Sequence, residues 1–352
     1  MSDTKREVTL FLPGLLGPRL PEAAERICEG MTLGALETLL SRSTCGSRPG
    51  EDESVEGMLF ELFGHARARD ADWPAAAVTH LLDAEGAKPG WYVRADPVHL
   101  RADVREVILF DASAFIIDEA EARELAAAAS EHLDEAGCTL EAPHPARWYL
   151  RAPEAHAVRT HPPSAVVGAN LDEFLPFGQE GNRWRRLLNE VQMALHASPA
   201  NAERERRGEL PVNSVWLWGA GTLPAAPEAL WVHVWSDDTL ALGLARLGDI
   251  ACDGLPANAA EWLSRASPGA HLIADDRAYG CARVGDVSAW RTLLQALERD
   301  WFAPLGAALR AGELVSVTIL TDRGLVHRCT RRSLRRWWRR RQPLSVWMTR
   351  DE

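Results

Sequence analysis

Short apolar strands alternate with amphipathic helices through the second half of this 352-residue chain, and this alternation limits the fold more than any other feature. We predict strands in ALWVHVWSDD, AHLIADD and LVSVTILTD, and helices in the intervening runs TLALGLARLG and DVSAWRTLLQALERDWFAPLGAALRAG. A strand, a helix and another strand in succession are typical of a parallel sheet. The sequence therefore predicts an α/β fold with a mostly parallel sheet and helices on both faces.

The middle of the chain has a different pattern. Residues 108–165 show a strand–helix–strand order of their own, which predicts a small α+β insertion. Residues 1–107 and 166–352 would then form the α/β core, and their combined length is ample for a large hydrophobic core.

Composition and charge exclude several classes of protein. The net charge of −11 disfavours general affinity for nucleic acid or membranes, and no apolar run approaches the roughly 18 residues of a membrane span. The six cysteines are scattered without a CxxC pair, which fits a reducing compartment, and the polar N-terminus does not resemble a signal peptide. We therefore expect a cytoplasmic protein without a membrane partner, and we do not expect nucleic acid as a ligand.

Acidic residues follow three of the predicted strands, at Asp237, Asp275 and Asp322. Carboxylates that meet at one sheet edge can hold Mg²⁺ or Mn²⁺, and His327 would be a further donor. The alternative, which we favour, is that each Asp caps the following helix. Arg323, directly after Asp322, is a permanent cation that repels a metal.

Two further motifs allow more than one interpretation. Gly219 and Gly221 form a GxG turn after a strand, which could bind an anion but is not specific on its own. Residues 331–341 hold seven Arg and two Trp, and we predict a helix there. This basic helix could be a solvated or self-paired face, a phosphate site, a nucleic-acid site or a docking site for a protein partner, and the first is favoured.

The block HASPANAERERRGELPVNSVWLWGAG at 196–221 resembles a characteristic stretch of the archaeal-type, cofactor-independent phosphoglycerate mutases. Its matching positions are Pro199, Asn201, Arg204, Gly208, Pro211, Asn213, Gly219 and Gly221. Four further segments resemble that family more loosely. They place FLPGLLGP at its D-G-x-x-D strand end, Ser54 at its nucleophile, Arg94 in its R-x-N segment, and ILTDRG at its metal-binding strand.

The resemblance implies an alkaline-phosphatase-like core and a Ser nucleophile that two divalent metals, usually Mn²⁺, activate. The positions where the family has metal ligands read Pro13-Gly14 and Asp322-Arg323 in this chain. Pro cannot ligate a metal, and without metals a Ser hydroxyl is a poor nucleophile. We therefore expect a degenerate bimetal site, no cofactor, and a vestigial role for Ser54.

The chain is also similar to the RpfE-type regulatory proteins of proteobacteria, through PVNSVWLWG and RADPVHL. Three functions remain open at this point. The first is a non-catalytic or regulatory protein that binds a small phosphorylated or anionic ligand through Arg94, Asn201, Arg204, Asn213, the 219–221 turn, Asp322 and Arg323, or that binds a protein partner. The second is an active phosphoglycerate mutase or phosphomonoesterase that uses Mn²⁺ or Mg²⁺. The third is an adaptor that binds a partner or nucleic acid through residues 331–341.

Overall fold

The computed structural model describes residues 5–47, 50, 52–84, 88–102, 107–112, 115–133, 137–166, 171–228 and 230–350. The chain divides into two compact units. Unit 1 consists of Met1–Gly64 and Pro227–Glu352, and unit 2 consists of His65–Ala226. Each unit has its own sheet, and strands and helices are numbered along the whole chain.

The described strands of unit 1 form a seven-stranded sheet in the order β2-β12-β11-β1-β10-β8-β9. Their bounds are β1 Arg6–Phe11, β2 Thr44–Ser47, β8 His233–Ser236, β9 Ala251–Asp253, β10 Gly269–Ala274, β11 Leu314–Leu320 and β12 Leu325–Thr330. The five strands from β11 to β9 are parallel, while β12 and β2 extend the sheet in antiparallel register. This arrangement confirms the predicted mostly parallel sheet.

Ten described helices accompany this sheet. They are α1 Ala24–Cys28, α2 Gly34–Arg42, α3 Val55–Leu62, α9 Thr239–Leu247, α10 Ala259–Arg265, α11 Arg277–Arg283, α12 Val287–Leu297, α13 Ala303–Ala311, α14 Arg331–Leu334 and α15 Leu344–Met348. A π-helical turn, Glu298–Phe302, joins α12 to α13. Apolar side chains from both parts of the unit share one core, which includes the fully buried Trp235, Trp262 and Trp290.

Unit 2 is built around an antiparallel sheet whose central strand is β3. The strands are β3 Trp91–Ala102, β4 Val107–Phe110, β5 Thr139–His144, β6 Arg147–Ala152 and β7 Ser214–Thr222. The helices are α4 Ala75–Asp83, α5 Glu119–Leu133, α6 Pro163–Val166, α7 Gly181–Ala197 and α8 Pro199–Arg206. Strand β3 pairs with β7 on one side and with β6 and β4 on the other.

Residues 108–165, expected as an insertion, contribute β5, β6, α5 and most of β4 to unit 2. This unit also includes residues 65–107 and 166–226, because β3 and β7 pair with each other in the same sheet.

The helix predicted for residues 331–341 is wrong beyond its first turn. Only α14, Arg331–Leu334, is helical, and the chain then continues through turns to residue 340. Arg side chains four apart repel one another on a helix, which disfavours its extension. Instead, the guanidinium of Arg42 binds the carbonyl of Leu334 at 2.7 Å.

In the part of the chain that the structure describes, no helix is both long and apolar enough to cross a membrane.

Candidate functional site

The carboxyl ends of four parallel strands, β11, β1, β10 and β8, lie along one edge of the unit 1 sheet. Ligands of open α/β sheets bind at this edge. Pro13 and Gly14 follow β1, Asp237 follows β8, Asp275 follows β10, and Asp322 follows β11. The structure therefore places all the acids singled out in the sequence at the same edge.

Asp322 holds the loop that follows β1. Its carboxylate accepts a hydrogen bond of 2.8 Å from the backbone N–H of Gly14, and the indole of Trp290 donates to the Gly14 carbonyl at 2.9 Å. Gly14 has a φ of 74° and lies so close to Tyr279 that a Cβ would come within 2.4 Å of its backbone. This close contact requires glycine, and Asp322 stabilises the turn that produces it.

Arg323 is directed at backbone carbonyls of the same loop. Its guanidinium donates to the carbonyls of Leu16 at 3.2 Å and Gly17 at 3.1 Å, and also to that of Met348. Met348 is the last residue of α15. Arg323 therefore fastens the loop after β1 to the C-terminal helix.

Asp275 forms a bidentate ion pair with the guanidinium of Arg277. The Nε–Oδ1 distance is 2.8 Å and the Nη2–Oδ2 distance is 2.7 Å. Next to this pair, burial raises the pKa of Asp276, and the negative charge of Asp275 adds to that rise. Both oxygens of Asp275 are thus already bonded to a cation that would compete with any metal.

The two acids after β8 bind backbone N–H groups. Asp238 is the N-cap of α9, and its side chain accepts from the N–H of Ala241 at 2.7 Å. Asp237 accepts from the N–H of Leu255 at 3.0 Å. The capping interpretation favoured from the sequence is therefore confirmed for Asp238 alone. It is wrong for Asp237, for Asp275, which binds Arg277, and for Asp322, which is followed by the strand β12.

Ser54, the position that resembles a nucleophile, is the N-cap of α3. Its hydroxyl oxygen accepts from the N–H of Gly57 at 3.0 Å and donates to the Asp52 carboxylate at 2.5 Å. A Ser before a helix is a standard cap, so this geometry has a structural explanation.

His327 is buried on β12, away from the acids. The Ser43 hydroxyl lies 2.7 Å from the carbonyl of Leu40 and 3.1 Å from Nδ1 of His327, so it is hydrogen-bonded to both. The imidazole edge meets the Trp347 ring at a centroid distance of 5.2 Å. Burial, with a smaller contribution from the nearby Arg350 charge, lowers the pKa of His327 to about 4, so the ring is neutral at neutral pH.

These donors do not fit the pair of divalent metals that the resemblance implies. Asp322 and Asp275 follow strands that are two positions apart in the sheet, a separation of roughly 10 Å. His327 lies on a strand three positions from β10, roughly 14 Å away. Within the described ranges, no group of three or more His, Cys, Asp and Glu side chains could hold a metal ion.

The block at 196–221 is a framework for unit 2. The amide of Asn201 donates to the carbonyls of Leu195 at 2.7 Å and Val212 at 2.8 Å, and its oxygen accepts from the N–H of Val212 at 2.9 Å. The amide of Asn213 exchanges two hydrogen bonds with the backbone of Leu100, at 2.7 and 2.8 Å. Asn213 therefore extends the pairing of β3 beyond the start of β7, and Asn201 joins the end of α7 to the segment before β7.

Arg204 is only 1% exposed, and its guanidinium group is likewise hydrogen-bonded to groups of unit 2. Its guanidinium donates to the carbonyls of Leu210 and Ile116, each at 2.9 Å, and to the Glu121 carboxylate at 2.8 Å. Glu121 also pairs with Arg207. An open cavity of about 490 Å³ lies beside these charged groups, and its wall includes Phe115, Arg204, Arg207 and Glu121.

The glycines of the GxG turn allow β7 to approach α4. A Cβ on Gly219 would lie 2.9 Å from the Ala75 side chain, and one on Gly221 would lie 2.7 Å from Pro74. Both positions also have positive φ angles, of 69° and 157°. Close packing within unit 2 thus explains this motif without a bound anion.

Arg94 belongs to a buried polar network that the sequence did not predict. Its guanidinium pairs with Asp96 at 2.7 Å, donates to the Thr79 hydroxyl at 3.2 Å, and lies about 5 Å from the Tyr149 and Trp218 ring centres. Burial raises the pKa of Asp96, although the Arg94 charge opposes that rise. The only sequence signal for the network is the spacing of Arg94 and Asp96 on one face of β3.

The network extends to a second ion pair. The hydroxyl of Tyr149 donates to the Asp83 carboxylate at 2.5 Å, and Asp83 also pairs with Arg147 at 2.6 Å. Burial raises the pKa of the Tyr149 hydroxyl. Burial also acts to raise the pKa of Asp83, but the hydrogen bonds from Arg147 and Tyr149 outweigh it, so the pKa of Asp83 is lowered. Asp96 lines a separate open cavity of about 210 Å³, together with Trp216 and Asp111.

Comparison with known proteins points to one group of enzymes. No family model matches the chain. A 63-residue region is 36% identical to the 2,3-bisphosphoglycerate-independent phosphoglycerate mutase of Methanosarcina barkeri, covering 18% of this chain and 16% of that protein. The same coverage is found at 38% identity for the probable enzyme of this name from Geobacter sulfurreducens. The matched region spans only about a sixth of the length of these curated relatives.

Solved structures match over nearly the whole chain. The cofactor-independent phosphoglycerate mutase of Thermoplasma acidophilum has a TM-score of 0.50 at 18% identity, and the match covers 99% of this chain and 95% of that one. A protein from Pyrococcus horikoshii has a TM-score of 0.54 at 12% identity, with coverages of 93% and 88%. The chain therefore has the fold of a cofactor-independent phosphoglycerate mutase, and a short part of its sequence is similar to those enzymes.

Proposed function

We propose that this chain is a mutase-like protein that has lost metal-dependent phosphoryl transfer and acts by binding, as a regulatory protein. The observation that carries the proposal is the sheet edge of unit 1. There Arg323 binds backbone carbonyls next to Asp322, and Arg277 occupies both oxygens of Asp275. The similarity of PVNSVWLWG and RADPVHL to RpfE-type proteins supports a regulatory rather than a metabolic role.

A small phosphorylated or otherwise anionic compound is the ligand class we propose. Arg277 supports this choice because its side chain is half exposed at the sheet edge, although Asp275 engages two of its five N–H donors. The remaining donors can bind phosphate oxygens in the bidentate manner for which guanidinium is suited. Asn201, Arg204 and Asn213 would contribute indirectly, since their polar groups bind the framework of unit 2.

Activity is tested by incubating the purified chain with 3-phosphoglycerate and Mn²⁺ and measuring 2-phosphoglycerate by NMR. The chain and Ser54→Gly should both give no product. Gly is the appropriate substitution, because it removes the hydroxyl while costing the N-cap only a few tenths of a kcal/mol. Mn²⁺-dependent turnover that Ser54→Gly abolishes would establish an active enzyme and overturn the proposal.

Ligand binding is tested separately by isothermal titration with 3-phosphoglycerate without metal. Binding should weaken about tenfold or more in Arg277→Gln, the cost of a charge-assisted hydrogen-bond pair. The control is Arg246→Gln, which removes one exposed charge from the last turn of α9 in the same unit. Equal affinity in the Arg277 and Arg246 variants would exclude Arg277 as the binding residue.

A further inference from the structure

The surface formed by residues 331–341, here called the Arg–Trp surface, is firmly attached to unit 1. Thr330 and Ser333 form a reciprocal capping box at the start of α14. Arg339 donates to the Ser43 carbonyl at 2.6 Å, and the N–H of Gln342 donates to the Ser41 hydroxyl at 2.9 Å. The exposure of its side chains is therefore a property of a fixed surface.

Trp337 and Trp338 are unlike the other tryptophans of the chain. All fourteen Trp lie in the described residues, and only these two are exposed, by 79% and 64%. Exposing a large aromatic surface to water is unfavourable. Eleven other Trp of this chain are buried, so exposure of these two departs from how the fold places its tryptophans. Two adjacent exposed indoles mark a site of interaction.

The Arg side chains around these indoles are mostly unpaired. Arg341 forms an ion pair with Glu37 at 3.3 Å. The other six, at 331, 332, 335, 336, 339 and 340, form no ion pair with any acid among the described residues. The self-paired face considered from the sequence therefore does not account for them, and their charge is available to an anionic partner.

We propose that the Arg–Trp surface docks this protein on the headgroup layer of an anionic lipid bilayer. Indole rings favour the boundary between headgroups and acyl chains, and guanidinium groups bind lipid phosphates. Without the seven Arg the net charge of the chain falls from −11 to −18, so the rest of the molecule is repelled by the same membrane. Docking is therefore oriented, with residues 331–341 facing the lipid.

The geometry of the two indoles favours a membrane over single-stranded nucleic acid. Successive bases of a strand stack in nearly parallel planes. The planes of Trp337 and Trp338 are 84° apart, with centroids 6.2 Å apart, so the two rings cannot stack on neighbouring bases of one strand. Side chains exposed to this extent also protrude, whereas a groove would cover aromatic rings on both sides.

Surface docking needs neither an apolar membrane span nor a net positive charge on the whole chain. It is therefore compatible with the acidic composition and the lack of long apolar runs in the sequence. Lipid attraction acts locally, because screening confines it to about 10 Å at moderate salt. A basic surface of this kind can therefore bind an anionic bilayer although the chain as a whole is acidic.

The test is flotation of the full chain with vesicles. Equal parts of phosphatidylcholine and phosphatidylglycerol should bind the protein at low salt, pure phosphatidylcholine should bind it weakly, and high salt should release it. Arg335→Gln/Arg340→Gln should weaken binding about 25-fold, at about fivefold for each Arg. Trp337→Ala/Trp338→Ala should weaken it about tenfold or more.

Matched variants control for charge and apolar area. Arg206→Gln/Arg299→Gln removes two exposed Arg from elsewhere, and Met193→Ala removes an exposed apolar side chain. Neither should change vesicle binding more than about twofold. The proposal is overturned if anionic vesicles do not bind the chain, if these controls lose as much binding as the test variants, or if a single-stranded oligonucleotide binds residues 331–341 while vesicles do not.

Discussion

The sheet edge of unit 1 and the 196–221 block of unit 2 have opposite relations to the mutases that the chain resembles. The edge has its expected place in the fold, but Pro13 and Arg323 stand at the positions where the resemblance predicts metal ligands. The block holds the residues on which the resemblance rests, and Asn201 and Arg204 bind backbone groups within unit 2. In the block, the residues that resemble the mutases therefore have a structural explanation, which the proposed loss of metal chemistry at the edge would leave in place.

The largest expected effect is that of Arg204→Ala. It removes three hydrogen bonds from the buried Arg204 site, and it leaves the partly buried carboxylate of Glu121 with Arg207 as its remaining cation. Loss of one member of a buried ion pair costs about 3 to 5 kcal/mol of unfolding free energy. Urea denaturation measures this loss.

Arg206→Ala on the same helix is the control, because Arg206 is 73% exposed and, among the described acids, forms an ion pair with Glu203 alone. Its cost should stay within about 0.5 kcal/mol. Equal costs for the two variants would refute a framework role for Arg204.

The next effect is a pH dependence at His327, the remaining candidate ligand. Its pKa is about 4 in the fold and about 6.5 in the unfolded chain. The unfolded state binds more protons between these values, so the stability contributed by the neutral ring is present above pH 6.5 and is lost as the pH falls. The full loss below pH 4 is roughly 3 kcal/mol.

His327→Gln cannot titrate and should lack this slope, whatever its stability at neutral pH. Urea denaturation at pH 7, 5.5 and 4.5 gives the unfolding free energy of each protein. The value for the original chain minus the value for His327→Gln should decrease as the pH falls. Parallel profiles would show that His327 keeps its ordinary pKa.

Arg323→His sharpens the comparison at the edge, because it introduces the residue type expected for a metal site. His cannot reach the carbonyls of Leu16, Gly17 and Met348 together, so unfolding free energy should fall by about 1 to 2 kcal/mol. Mn²⁺ should not restore the stability, since Asp275 remains bound to Arg277. Arg328→His, at an exposed position on β12, is the matched control. Stabilisation of the Arg323 variant by Mn²⁺ would show that the edge still accepts a metal.

Ser54→Ala should have the smallest effect, about 1 kcal/mol, the usual cost of removing a helix N-cap. Ser54→Thr should recover most of the loss, because Thr also caps helices. A loss well above 2 kcal/mol in the thermal or urea denaturation of Ser54→Ala would indicate that Ser54 holds more than the first turn of α3.

Local patterns in the sequence were sufficient for the parallel strands β8, β10 and β11 and for the acids at their ends. The strand ends place Asp237, Asp275 and Asp322 correctly, because alternation of strands and helices determines which ends meet. Asp238 was predictable as a cap for the same local reason.

What the residues touch was not predictable, since it depends on partners far away in the chain. Arg94 meets Thr79 and Tyr149, 15 and 55 residues away, and no local pattern joins them. Arg323 reaches a loop more than 300 residues earlier. The helix assigned to residues 331–341 failed because spacing alone ignores repulsion among like charges.

The pairing of β1 with β10 and β11 has a consequence for how the chain reaches its fold. Synthesis proceeds from the N-terminus, so β1 emerges more than 250 residues before either neighbour, while all of unit 2 is contiguous and emerges between them. Unit 2 can therefore fold first, and its completion shortens the effective loop that unit 1 must close. Until then both edges of β1 are unpaired and can pair with other chains. We therefore expect a ribosome-bound chaperone to shield this strand during synthesis.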